Sequence, residues 1–358
     1  MKKKTDHPSS RNVSSVSRRE FLKTATATLA LAALPGTGFI TMVKKHPGKM
    51  ILSFYMDDTN PEVVKADAFK EFLGYCRANG IHGESSFIPG YNGKSIIREH
   101  DPDQEQYLEQ VKTAWSKGID THMELMTHHT LFDFDAGKAR EDGIHEGLWL
   151  HEPGVTMEEY RNYFSGILSE AGKSGIQYTG LTWPGCGCPE CTRRYNELRS
   201  SGPLHINQAA FDAMLSLARE GRFRGRVLPV FYESSEGDIG IFRRAAEGKF
   251  GVYDLQPNAE DHYGIWENSK DHVNADYYIN ADGSSGILLK HLKNKDPYCL
   301  WYMHWQGVNP GNGVGWEAFT TVTGRIRKYL KDKIVWMRPS EIVTAYHDAG
   351  GWGFTKNL

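Results

Sequence analysis

From residue 49 onward, short apolar strand-like runs alternate with longer helix-like runs, and no other feature of this chain limits its fold so strongly. The strand candidates are "MILSFYM", "IHGESSF", "IDTHMELM", "IQYTGLTW", "RVLPVFYE", "FGVYDLQ", "ADYYIN", "YCLWYMHW" and "IVWM". Helix starts stand between them. Asn60-Pro61 opens one run that Gly80 closes, Asp101-Pro102 opens another that Gly118 closes, and Thr156 with Glu159 forms a capping box. About eight such βα units in roughly 310 residues, with no low-complexity linker, predict an α/β protein built as a single (β/α) barrel, with a distorted or seven-stranded form as a variant and a doubly wound open sheet as the alternative. A chain of 358 residues with 39% hydrophobic content can fill such a core.

Barrel enzymes build their sites from the loops at the C-terminal ends of the strands. Those ends are polar here. The first strand closes on Asp57-Asp58 before an Asn-Pro turn, and the second runs through Glu84. The third carries His122, Glu124, His128 and His129, and the fourth ends at Trp183. Later ends bring Glu233, Asp254, Asn280 with Asp282, and His304 beside Trp305. A lone Asp-Asp pair is ordinarily a solvated turn, and any one of these residues is ordinarily a hydrogen-bonded rim group; their common position raises the functional reading. Glu124 and His128 are four residues apart, and with Asp58 they supply two carboxylates and an imidazole, a donor set for a divalent cation such as Zn²⁺.

At this point the chain resembles a known family. "SFYMDDTN" is similar to the T-F-D-D motif of the polysaccharide deacetylases, a superfamily that includes chitooligosaccharide and peptidoglycan deacetylases. "GIDTHMELMTHH" stands where that family has a Gly followed six and ten residues later by two metal-binding His, and "YCLWYMHWQG" looks like its last motif. "RIRKYLKDKIVWMRPSEIVTAY" is similar to its closing helix, short strand and Ser-Glu turn. The resemblance implies that Asp57 is the catalytic base, Asp58 and His128 are metal ligands, and His304, from across the barrel, is the general acid. Two departures stand out. Glu124 replaces the first metal His unless His122 serves instead, and of the family's Arg-x-Pro-Tyr motif "LTWPGCGCPEC" keeps only Pro184 and a following Gly.

Cys186, Cys188 and Cys191 fall close together in one loop, as a disulfide with a spare thiol, a structural metal knuckle or free thiols, whereas Cys76 and Cys299 lie in apolar contexts and read as core. Trp183 and Trp305 offer stacking faces for sugar rings or large caps for the core. With Glu84, Glu233 and Asp254 they are the candidate substrate contacts. The Gly-rich "HWQGVNPGNGVGW" lacks the context of a phosphate loop.

Residues 1–45 are set apart as an export signal and linker, leaving 46–358 as the catalytic domain. "SRREFLK" followed by the apolar "TATATLALAAL" has the form of a twin-arginine signal, too short to span a bilayer, and no Cys follows to carry a lipid anchor. That segment holds nine Lys/Arg against two acids, so of the net charge of −2 it contributes +7 and the remainder −9. An acidic domain argues against nucleic acid as a partner. The expectation is an exported, periplasmic or extracellular, metal-dependent hydrolase that removes acyl groups, acetyl above all, from a carbohydrate. The alternatives are a glycoside hydrolase using two carboxylates from Glu84, Glu124, Glu233 and Asp254, and a carbohydrate-binding barrel without chemistry.

Overall fold

The computed structural model describes residues 48–184, 189–200, 205–231, 240–264 and 272–350, all within one compact unit. Residues 1–45, Cys186, Cys188, Glu233 and the side chain of Cys191 lie outside the described residues. The strands are β1 (Met50–Asp57), β2 (Gly83–Phe87), β3 (Ile119–Met123), β4 (Phe132–Asp133), β5 (Lys138–Ala139), β6 (Gly180–Thr182), β7 (Val227–Phe231), β8 (Ile241–Glu247), β9 (Phe250–Leu255), β10 (Tyr298–His304) and β11 (Ile334–Trp336). The longer helices are α1 (Ala66–Asn79), α2 (Pro102–Ala114), α3 (Met157–Lys173), α4 (Pro189–Ser200), α5 (Gln208–Arg219), α6 (Ile287–Asn294), α7 (Val314–Tyr329) and α8 (Pro339–Asp348). Among them no helix is long and apolar enough to cross a membrane.

The strands form an α/β assembly, but not one continuous ladder. One sheet runs β10-β1-β11 and a second β2-β3-β6-β7-β9-β8, parallel throughout except for β8, while β4 and β5 form a separate antiparallel pair. A closed barrel was expected; among the described residues no ladder joins β1 to β2. Side chains bridge that seam instead. The Met56 N–H donates to Glu84 Oε2 at 3.2 Å and the Asp58 N–H to Glu124 Oε2 at 3.1 Å. At the other seam, Asn258 and Ala259 donate backbone N–H groups to the Leu300 carbonyl, at 2.8 and 3.2 Å.

Strand alternation sorts the core into two layers. Leu52, Phe54 and Met56 of β1 join the large cluster under the helices, while Ile51 and Tyr55 join Phe231, Tyr253, Leu255, Tyr298, Leu300, Ile342 and Val343 on the opposite face. β1 is therefore buried on both faces, which its unbroken apolar run requires. At β6 the backbone of Pro229 comes so close that a Cβ on Gly180 would lie 2.3 Å from its carbonyl oxygen, so only glycine fits there.

Local signals explain most boundaries. The Thr156–Glu159 box caps α3 and Asp101-Pro102 starts α2 as expected, the latter with a box of its own between Asp101 and Gln104. Asn60 does not start a helix. Its side chain accepts the N–H groups of Glu62 and Val63 in a turn, and α1 begins later, at Ala66. "ADYYIN" is not a strand, because Asn274 accepts the N–H groups of Asp276 and Tyr277 and caps a helical turn over Ala275–Tyr278. β8, which the strand candidates omitted, folds back on β9 through the two-residue turn Gly248-Lys249, with Gly248 at φ 58°.

Candidate metal centre and active site

The parallel register of β1 and β10 sets Asp57 directly opposite His304, so these two stand on neighbouring strands rather than across the assembly from one another. One residue further, the chain leaves β1 with Asp58 in the left-handed region, φ 65°. Leu125 and His128, in the loop after β3, are also left-handed, at φ 59° and 62°. Only five non-glycine residues among those described adopt positive φ, and three of them lie here. Strained backbone of this kind persists where its surroundings impose it, and it concentrates at functional sites.

That backbone brings Asp58, Glu124 and His128 together, each offering one ligand atom, all within 4.8 Å of one another. His128 Nε2 lies 3.1 Å from Glu124 Oε1 and 3.5 Å from Asp58 Oδ1. The remaining oxygen of each carboxylate is already engaged. Glu124 Oε2 accepts the Asp58 N–H, and Asp58 Oδ2 accepts from Gln306 Nε2 at 3.2 Å. The uncommitted lone pairs therefore converge. In a tetrahedral zinc site with ligands at about 2.1 Å, donor atoms stand about 3.4 Å apart, so both the donor set and its spacing fit a divalent cation. Glu124 sits where the sequence left a choice with His122. His122 is fully buried, stacked on Phe231 at 5.0 Å and 3.3 Å from Thr182 Oγ1, and it is not part of the group.

Asp57 keeps a buried Oδ1 that no donor reaches among the described residues. Burial first, and then the charges of Glu124, Asp58, Glu84 and Asp261, push its carboxyl well above the usual carboxylate range. His304 is held differently. Its backbone N–H and its Nδ1 both meet Oδ2 of Asp261, whose side chain is 0% exposed, at 3.0 and 2.9 Å, which fixes the Nδ1–H tautomer. Burial lowers the imidazole, but the hydrogen bond and charge of Asp261 outweigh it, so His304 lies above its ordinary value.

Three expected substrate contacts are corrected by burial. Glu84, 0% exposed, lies beneath the site and holds the Met56 N–H. Asp254, on the helix side of its sheet, pairs at 2.6 Å with Arg244, whose guanidinium lies over Phe211. Trp305, 0% exposed, packs against Phe69 and Phe72 with no face for a sugar. Trp183 remains half-buried, edge-on to His151. Three side chains that hold members of this group were not singled out in the sequence: Gln306 on Asp58, Asp261 on His304 and Glu146 on the His128 N–H. Gln306 follows His304 closely enough in sequence to have been suspected. Asp261 and Glu146 meet their partners only through the fold.

No family model and no curated protein matches this chain. Solved structures do. A glycoside hydrolase/deacetylase from Parabacteroides distasonis, itself described as putative, is 11% identical over 84% of this chain and 73% of its own, with a TM-score of 0.45. A deacetylase solved with substrate is 9% identical over 86% and 94%, with a TM-score of 0.38. A CE4 family pseudoenzyme from Bacillus anthracis is 10% identical over 83% of this chain and 66% of its own, slightly under two thirds, also at 0.38. Likeness at this level says nothing about chemistry, which rests on the side-chain geometry.

Proposed function

We propose that this protein is an exported hydrolase that uses a divalent cation, zinc above all, held by Asp58, Glu124 and His128, to remove acetyl or similar acyl groups from a carbohydrate, on a distorted barrel of the polysaccharide deacetylase kind. The observation that carries the reading is the convergence of Asp58 Oδ1, Glu124 Oε1 and His128 Nε2 beside an uncommitted Asp57. A bound cation would polarise the acyl carbonyl and acidify water. Asp57, next to the ligand Asp58 and lifted in basicity, takes the proton of the attacking water. His304, kept protonated at Nδ1 by Asp261 and favoured in its charged form, returns a proton from Nε2 to the leaving amine or alcohol. Two adjacent carboxylates thereby divide the work: one faces the cation while the other stays open.

The glycosidase alternative is the weaker one because Glu84 and Asp254 are at most 1% exposed, each with one oxygen committed, to the Met56 N–H and to Arg244. The deciding experiment is elemental analysis of purified protein together with acetate release from acetylated chitooligosaccharide and acetylated xylan. About one divalent cation per chain, lost in Asp58→Ala along with acetate release, is the expected outcome. A wild type that holds no cation, or that cleaves glycosidic bonds and frees no acetate, defeats the proposal. Export is tested separately by replacing Arg18 and Arg19 with Lys, which should strand precursor in the cytoplasm.

A further inference from the structure

His128 supplies the only imidazole of the triad, yet it lies in a loop that belongs to no ladder and bends through left-handed backbone at Leu125 and at His128 itself. For an L-residue that conformation costs roughly 1–2 kcal/mol, so something must impose it. The loop's backbone amides show what does. Three in succession, Met126, Thr127 and His128, donate to a single carboxylate, that of Glu146, at 3.2, 2.9 and 2.8 Å. Glu146 is 0% exposed and also accepts the Tyr163 hydroxyl proton.

Its own place is fixed as well. Its N–H donates to the His129 carbonyl at 2.6 Å, and Tyr163 accepts the Phe132 N–H at 2.8 Å from its position on α3. A residue that only filled space here could be apolar, and a buried carboxylate is costly unless several donors converge on it. Four do, and three of them belong to the segment that ends at the imidazole.

We propose that Glu146, braced by Tyr163, is the positioning residue of the cation site: it gathers the amides of Met126–His128 and so aims His128 at Asp58 and Glu124. It touches neither cation nor substrate. The inference rests on the cation reading above, and its test separates the two. Cobalt(II) binding to the full protein would be followed by competition with a chromophoric chelator and by the visible absorption of the bound ion, alongside melting temperature and amide exchange of residues 126–128.

Glu146→Ala should weaken cobalt binding roughly 10–100-fold and alter its absorption band, as loss of a group that orients a ligand does. Tyr163→Phe, which keeps the ring, should shift both in the same direction by less. Should Glu146→Ala not fold, Tyr163→Phe and Glu146→Gln carry the test. Variants that melt lower but bind cobalt with wild-type affinity and an unchanged band would reduce Glu146 to a structural role and overturn the inference. A wild type that takes up no cobalt would sink the cation reading alone; faster exchange confined to Met126, Thr127 and His128 in Glu146→Ala would then still support the brace, and unchanged exchange would refute it.

Discussion

Two aspartates stand at opposite ends of the same parallel strand assembly, Asp120 fully buried and Asp57 partly so. Asp57 closes β1 at the C-terminal end; Asp120 is the second residue of β3, near the N-terminal end. Asp120 has both oxygens occupied, Oδ2 by the Ser340 N–H at 2.8 Å and Oδ1 by the Ser340 hydroxyl at 2.9 Å, and it ties the start of α8 to the underside of the strands. Asp57 has an orphaned oxygen, four carboxylates close by and a histidine on the next strand. What separates this pair is that the fold completes the hydrogen bonds of Asp120 and leaves Asp57 with an open oxygen beside His304 and the converging atoms of Asp58, Glu124 and His128.

The largest effect that can break this contrast is catalytic. Asp57→Asn and His304→Gln nearly preserve volume, and each should cut kcat roughly 10²-fold or more with cation content kept. Full activity in folded, cation-loaded variants would put Asp57 in the same class as Asp120. Next comes stability at the other end. Asp120→Ala should cost about 2–3 kcal/mol in urea unfolding, by leaving the Ser340 N–H unpaired over a small cavity, and should leave specific activity unchanged. A loss of activity at constant stability would contradict the division.

The most gradual effect is a pH dependence. Burial lifts Asp120 to about 6, against the pull of Ser340 and Arg338. A folded value above the unfolded one means that the folded state takes up the proton first as pH falls. The contribution of this group to stability is then full below about 4 and is lost as pH rises through about 6. Unfolding of wild type between pH 4 and 7 should show a fall in stability of up to about 3 kcal/mol that Asp120→Asn flattens. An unchanged profile would remove Asp120 as its source.

Much of this was legible in the sequence, for identifiable reasons. Runs such as "MILSFYM" and "RVLPVFY" are apolar on both faces because their strands are covered on both sides, and the Asp101-Pro102 start and the Thr156 box are local chemistry that needs no tertiary context. Asp58, Glu124 and His128 could be grouped because strand ends in a parallel α/β protein share one face. What was not legible depends on contacts between distant segments. Nothing near Asp261 marks it as the partner of His304, forty-three residues away, and Glu146 resembles any acid at a helix start until three amides close on it. Asp254 was misplaced because strand-end position does not show which face of the sheet a residue takes, and Trp305 because it opens a helical turn after β10 and packs on Phe69 and Phe72.

The left-handed backbone at Asp58 and His128 sets a limit on how this chain can be improved. A search for thermostable variants would favour glycine at both positions, since glycine adopts that conformation without the cost an L-residue carries, about 1–2 kcal/mol. Each such change would delete one of the three converging donor groups. On the proposed cation reading, the same two positions thus offer a gain in robustness at the expense of the site, and a selection that scores folding alone would drive the chain toward a well-made protein without it.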